Sequence, residues 1–288
     1  MVGDTVPSMV HEVDARWTMA YAASLDDTDA CYFDTNSTAG IVAHPLFSVC
    51  PEWPVIVSSR VAADRWGITP DESRQSVHAT HDVTVHRLAA PGDVLTTSLQ
   101  YVGVEQKRPG AFVTMRLETV DQYGQSVSTT EQGGMYLGVD SEGDDRPAEL
   151  FAEPLDLAPP TAPPLAVVSI PIAHGAAHTY TESARIWNPI HTDAAVASAA
   201  GLPGIILHGT ATLALAVSQV VKLEAGGDPK RVRRIVCRFG AMVFMPSTIE
   251  FRLLARQRLD SGETAVQFEV RNEEGGPAVD RGVVLLSD

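Results

Sequence analysis

Apolar and polar residues alternate along this chain with two different periods. Over Glu12–Leu25, Val13, Trp17, Ala20 and Tyr21 recur at i, i+4, i+7 and i+8, one face of a helix. After Pro54 a connecting helix or loop is expected through Trp66-Gly67. His78–Val85 (HATHDVTV) alternates with the period of a strand, and His86–Asp93 is a turn-rich link. Strand-like runs follow at Val94–Val104, Ala111–Asp121 and Gln125–Leu137, divided by glycine or polar turns. The strand pattern resumes at Val167–Ile172 and ends in Val232–Phe239, Ser247–Leu259, Ala265–Asn272 and Arg281–Leu286. Such runs suggest a curved antiparallel sheet. Asp140–Pro164, acidic and then proline-rich, reads as a linker. The expected division is residues 1–145, a linker at 146–165, and residues 166–288.

The stretch Tyr180–Gln219 interrupts both periods. Pro189 restricts Asn188 to extended backbone, so any helix before it ends there and His191 falls on a turn. Thr192 or Asp193 can cap a short helix over Ala194–Ala200, which Gly201, Pro203 and Gly204 terminate. An apolar, strand-like piece then reaches His208-Gly209. Ala211–Val217 follows as a small-residue helix expected to be buried all round. Gly209 stands at its N-terminus, where N–H groups lack intrahelical acceptors and can hold a developing oxyanion. A weaker copy lies upstream. Tyr21–Asp34 (YAASLDDTDACYFD) aligns with Tyr180–Asp193, setting Asp27 against Ile186, Asp29 against Asn188 and Tyr32 against His191. Gly40–Pro45 echoes Ile205–Gly209. A motif recurring at both ends indicates internal duplication.

Asn188, Pro189, His191 and Asp193, followed by His208 and Gly209, match position by position the Asn-Pro-x-His-x-Asp and His-Gly runs of the MaoC-like, or (R)-specific enoyl-CoA hydratase, family of hotdog proteins, which this chain resembles. The resemblance implies an α+β double hotdog, two tandem units each with a long helix wrapped by a curved antiparallel sheet. It implies hydration of a 2-enoyl-CoA, or the reverse dehydration of a 3-hydroxyacyl-CoA, with an (R)-configured product. No cofactor beyond the coenzyme A thioester substrate is implied. In that register His191 is the acid/base and the Gly209 N–H the oxyanion donor. Asn188 holds the water or braces the loop, and His208 orients the substrate pocket.

The family's catalytic Asp falls on Ile186, which cannot accept a proton. Glu182, one turn earlier on a regular helix, is the best replacement. Capping is the simpler account of Asp193, and Asp27 belongs to the other half. Two further readings follow. One is a non-catalytic acyl-CoA-binding or scaffolding subunit; a weaker one is a hotdog thioesterase.

Composition narrows the partners. At 288 residues the chain has room for about two domains. A formal net charge of −15 argues against a nucleic-acid partner. Lys230, Arg231, Arg233, Arg234 and Arg238 form the dense basic cluster of this acidic chain. They are either a solvated strand edge or a seat for coenzyme A phosphates. Cys31, Cys50 and Cys237, three and widely spaced, suggest a reducing, cytoplasmic setting. No signal peptide or membrane span is expected. Strand spacing would put His78 and His81 on opposite faces, so no metal is assigned. A homodimer of pseudo-dimers is the suspected assembly.

Overall fold

The computed structural model describes residues 1–288. Its first half contains β1 (Thr5–Glu12), α1 (Ala15–Ser24), α2 (Ala30–Phe33), α3 (Val49–Val61), α4 (Pro70–Arg74), β2 (Ser76–Val85), β3 (Val94–Lys107), β4 (Gly110–Val120) and β5 (Ser126–Leu137). The second contains β6 (Ala166–Ile172), α5 (Ala176–Ala184), α6 (Ala194–Ala199), α7 (Gly209–Glu224), β7 (Val232–Phe239), β8 (Ser247–Arg258), β9 (Thr264–Arg271) and β10 (Pro277–Leu286).

All ten strands join one antiparallel sheet in the order β1-β3-β4-β5-β2-β7-β10-β9-β8-β6. Each half repeats the other in mirror order, and β2 meets β7 at the centre, with Thr80 opposite Arg238 and Thr84 opposite Arg234. This is the α+β double hotdog that the resemblance implies.

The two long helices lie against their own strands. Small and β-branched residues let α7 sit deep. Leu213, Ala214, Ala216, Val217 and Val220 are fully buried and join a core that includes Ile235, Phe251, Phe268 and Val284. Burial runs nearly all round α7 and opens only towards its ends, as expected. α3 packs Val55 and Ile56 against Leu99, Val113 and Leu117. The sequence pattern left the segment after Pro54 as a helix or loop and did not find its start, because Pro51 and Pro54 interrupt the first turns. Pro54 lies inside the helical span, where it removes one backbone donor. β1 was also missed, since its exposed and buried residues do not alternate cleanly across a register shift.

The proline-rich linker does more than join two halves. It runs as an extended strap over the sheet face opposite the helices. Arg146 bridges Val104, the Glu149 carbonyl accepts from Arg116, and the Phe151 N–H donates to Glu131. Further on, the Glu153 carbonyl accepts from Arg234 and the Ala158 carbonyl from Gln267. Leu155 and Leu157 pack on Ala265, Val283 and Leu285.

One face assignment is corrected. The register shifts between His78 and Thr80, a bulge that offsets the strand alternation. His78 and His81 therefore share a face, with ring centroids 5.4 Å apart. No helix is long and apolar enough to cross a membrane.

Candidate active site

The site begins where α5 stops. Arg185 takes a left-handed conformation (φ 59°), and the Ile186 N–H bonds back to Thr181. The Arg185 guanidinium lies 3.8 Å over the Trp17 ring, and the Trp17 indole donates to the Ser183 carbonyl at 3.0 Å. Thus α1 of the first half holds the end of α5. Asn188 is extended, as its place before proline requires, and Pro189–His191 makes one tight turn. The Asn188 carbonyl accepts from the His191 N–H at 3.1 Å. Its carboxamide makes no bond within the chain, so bracing comes from its backbone. Asp193 caps α6, accepting from Ala195 and Val196.

His191 is 9% exposed. Its Nδ1 lies 2.8 Å from the Ile206 carbonyl, which can only accept, so Nδ1 carries the proton and Nε2 presents its lone pair. Nε2 takes no hydrogen bond from the chain. Burial drives the ring's pKa down to about 4, against a smaller upward pull from the Ile206 carbonyl. The imidazole is therefore neutral at pH 7.

His208 stacks on this ring at 3.7 Å. It meets the Thr181 hydroxyl at 3.3 Å. Burial, and then the neighbouring His191, hold its pKa well below the usual range. The next residue, Gly209, opens α7 with its backbone exposed. Its N–H has no acceptor within the chain. A β-carbon there would stand 3.0 Å from the Phe239 ring, so the helix head depends on glycine for its close approach to β7.

A hydroxyl chain underlies the pair. Tyr180 donates to Thr210 at 3.1 Å, and its oxygen lies 3.3 Å from that of Tyr21. His178 reaches the Thr192 carbonyl, tying the turn back to α5. The motif did not single out Tyr180, Thr181, Thr210 or Phe239. Of these only Tyr180 left a trace, through its alignment with Tyr21.

The fold thus brings His191, His208 and Gly209 together, with Asn188 beside them. It does not bring Glu182. That residue is solvent-exposed, because Arg185 breaks the helix that would have stacked Glu182 under Ile186. Ile186 itself is 5% exposed and lies in the main core.

The basic cluster is also corrected. Arg234 is 7% exposed and fully engaged, with its fork on the Asp82 carboxylate at 2.8 and 2.6 Å. Arg231 donates to the Ser287 carbonyl and Arg233 to the Lys230 carbonyl. These residues flank the start of β7, whereas Phe239 at its end touches Gly209. That separation is roughly 17–26 Å along a strand.

In the first half, Asp27 is 1% exposed and pairs with Lys222 in the last turn of α7 at 3.3 Å. This is about 20 Å along α7 from Gly209. Neither half therefore holds both a carboxylate and a histidine at the aligned positions.

Residues 156–276 match the MaoC like domain family, and residues 1–130 match the FAS1-like, dehydratase domain region. The peroxisomal enoyl-CoA hydratase 2 of Arabidopsis thaliana is 41% identical over 63 residues, which is 22% of this chain and 20% of that protein. Across the curated relatives, matched segments span from 3% to 28% of the relative's length. Among solved structures, a MaoC-like dehydratase from Phytophthora capsici superimposes with TM-score 0.81 at 22% identity, covering 99% of this chain and 97% of that one. A Mycobacterium tuberculosis protein described as a double hotdog fold gives 0.60 at 17% identity, covering 99% and 96%.

Proposed function

Because this chain belongs to the MaoC-like dehydratase family, we propose that it adds water to a 2-enoyl-CoA, or removes it from a 3-hydroxyacyl-CoA, at the site headed by His191. What carries this reading is one arrangement: a neutral imidazole with its Nδ1 proton committed to Ile206 and Nε2 free, beside an unpaired N–H at the head of a buried helix.

In this reading the thioester carbonyl accepts from the Gly209 N–H. Nε2 of His191 takes a proton from water as its oxygen bonds to C3. The C2–C3 π pair moves onto C2 and the carbonyl oxygen, whose negative charge the helix head stabilises; losing one such donor typically costs ~10²–10³ in rate. The Nε2 proton is then delivered to C2, which restores neutral His191. One imidazole serving both transfers places water and proton on the same face of the double bond. It needs no second carboxylate, which suits the buried Ile186.

The missing carboxylate favours a second reading, an acyl-CoA-binding subunit without turnover. One assay separates them. The protein is mixed with a short 2-enoyl-CoA and the conjugated enoyl absorbance is followed. Hydration in the natural protein, reduced about 10²–10⁴-fold in His191→Ala, is the expected result. Binding without absorbance loss would assign the scaffolding role, and thiol release would assign a thioesterase.

A further inference from the structure

The Gly209 N–H is a donor that its own residue cannot aim. Glycine leaves the backbone free to turn, and His208, at the N-cap, gives α7 no side-chain cap. The direction of this N–H depends on what holds the residues on either side of it.

Two consecutive residues of α5 hold them. The Tyr180 hydroxyl donates to the Thr210 hydroxyl at 3.1 Å, and the Thr181 hydroxyl meets His208 Nε2 at 3.3 Å. Tyr180 is 1% exposed and Thr181 4%, so these bonds form away from bulk water. With one bond on each side of Gly209, its peptide is not free to pivot about either. The grip reaches the base as well. The Tyr180 ring lies 5.0 Å from that of His208, which stacks on His191 at 3.7 Å. Burial pushes the Tyr180 phenol well above its usual range, so it stays a donor at neutral pH.

The first half supplies a contrast and an anchor. Tyr21, aligned with Tyr180, donates to the Leu46 carbonyl at 3.3 Å. Pro45 stands there where Gly209 stands in the second half, and it has no N–H to aim. A hydroxyl follows the glycine at Thr210, whereas leucine follows the proline. The first half also steadies α5, since the Trp17 indole donates to the Ser183 carbonyl at 3.0 Å and the Tyr21 oxygen lies 3.3 Å from that of Tyr180.

We propose that Tyr180 and Thr181 are positioning residues for hydration. Acting through Thr210 and His208, they fix the Gly209 N–H on the thioester carbonyl and seat His208 against His191. This assignment rests on the hydratase reading for the use made of that N–H, but the clamp can be tested without turnover.

Hydration of a short 2-enoyl-CoA is followed in Tyr180→Phe, Thr181→Val, Thr210→Val and Thr210→Ser, with thermal unfolding in parallel. Tyr180→Phe, Thr181→Val and Thr210→Val are each expected to lower kcat about 10–100-fold, as misplacing a reacting group by ~1 Å does, with KM moving less than about threefold. Tyr180→Phe and Thr210→Val together should lose no more than either alone, because both remove one bond. Thr210→Ser should recover most of the kcat lost in Thr210→Val. The direction of the N–H is followed separately by nuclear magnetic resonance. Histidine labelled with ¹³C at the carbonyl and glycine labelled with ¹⁵N mark the two His-Gly pairs of the chain, His174-Gly175 and His208-Gly209. The Gly209 amide should shift or broaden in Tyr180→Phe and Thr210→Val, while Gly175 stays in place. A contact that only holds the fold would lower the melting temperature and leave kcat per folded molecule unchanged, which overturns the assignment. Losses that multiply in the double variant, or a Gly209 resonance that ignores both substitutions, also overturn it and leave the hydratase reading standing. If the natural protein hydrates no enoyl thioester yet the Gly209 amide responds, the clamp stands and the hydratase reading falls.

Discussion

A free imidazole titrates near 6.5, but His191 is held at about 4 by burial. The consequence is kinetic. A base that must be neutral to accept a proton is lost only as pH falls through its own folded-state pKa. The acid limb of kcat/KM for hydration is therefore expected near pH 4, with little change between pH 5 and 7. A limb near 6.5 would mean that the ring titrates as if in solvent, contrary to its stacking on His208. How much of this site was legible beforehand follows from what each residue depends on. The Asn-Pro-x-His turn and the His-Gly helix start are local, so His191, His208 and Gly209 stood in the sequence. The acceptor that fixes the His191 tautomer is a backbone carbonyl fifteen residues away, which no side-chain pattern announces. Glu182 was misplaced for a local reason as well. The helical register was extended two residues too far, across a left-handed Arg185 to Ile186.

At the scale of elements, every strand but β1 could be read, and α7 with them, because each follows one period along its length. α3 could be read only as a helix or loop after Pro54, since its prolines obscure its start, and the strap could not be read, since its partners are spread over strands of both halves. The basic run on β7 shows the same limit. Its composition suits phosphate, but Asp82, 152 positions away, claims Arg234. That pair spans the β2–β7 seam, and the Arg234 side chain is nearly buried. Removing one partner strands a charge, whereas replacing both with apolar residues removes the desolvation cost along with the attraction. Arg234→Met alone is expected to cost on the order of 3 kcal/mol in chemical denaturation. The double variant Arg234→Met, Asp82→Leu should recover most of that loss. Equal losses in the single and double variants would show that the strap carbonyl at Glu153, not Asp82, is the partner that matters.

At the scale of the whole molecule, the two halves are fastened through buried polar groups. Tyr21 meets Tyr180, His44 meets Ser218 at 3.2 Å, and Asp27 meets Lys222. Burying so many titratable groups makes stability depend on pH with opposing signs. His44, His81 and His191 are each lowered to about 4, chiefly by burial. Their contribution is complete above 6.5 and is lost as pH falls towards 4, because the unfolded chain then binds more protons. Glu52 acts in the other direction. It is 1% exposed on α3, accepts from the Thr130 hydroxyl at 2.5 Å, and is pushed by burial up to about 7. Its folded-state pKa lies above its unfolded value of 4.5. Its stabilising contribution is therefore full below pH 4.5 and is lost as pH rises through 7, by on the order of 3 kcal/mol. The histidines dominate the raw profile by number, so the natural protein alone does not isolate this term. Comparison with Glu52→Gln does, because the histidine contributions are common to both and cancel. Relative to the variant, the natural protein should lose stability steadily from pH 4.5 to 7 and then level off. Parallel denaturation curves across that range would mean that Glu52 ionises in the fold as it does in water, and that burial between α3 and β5 does not keep its carboxyl protonated against the pull of the Thr130 hydroxyl.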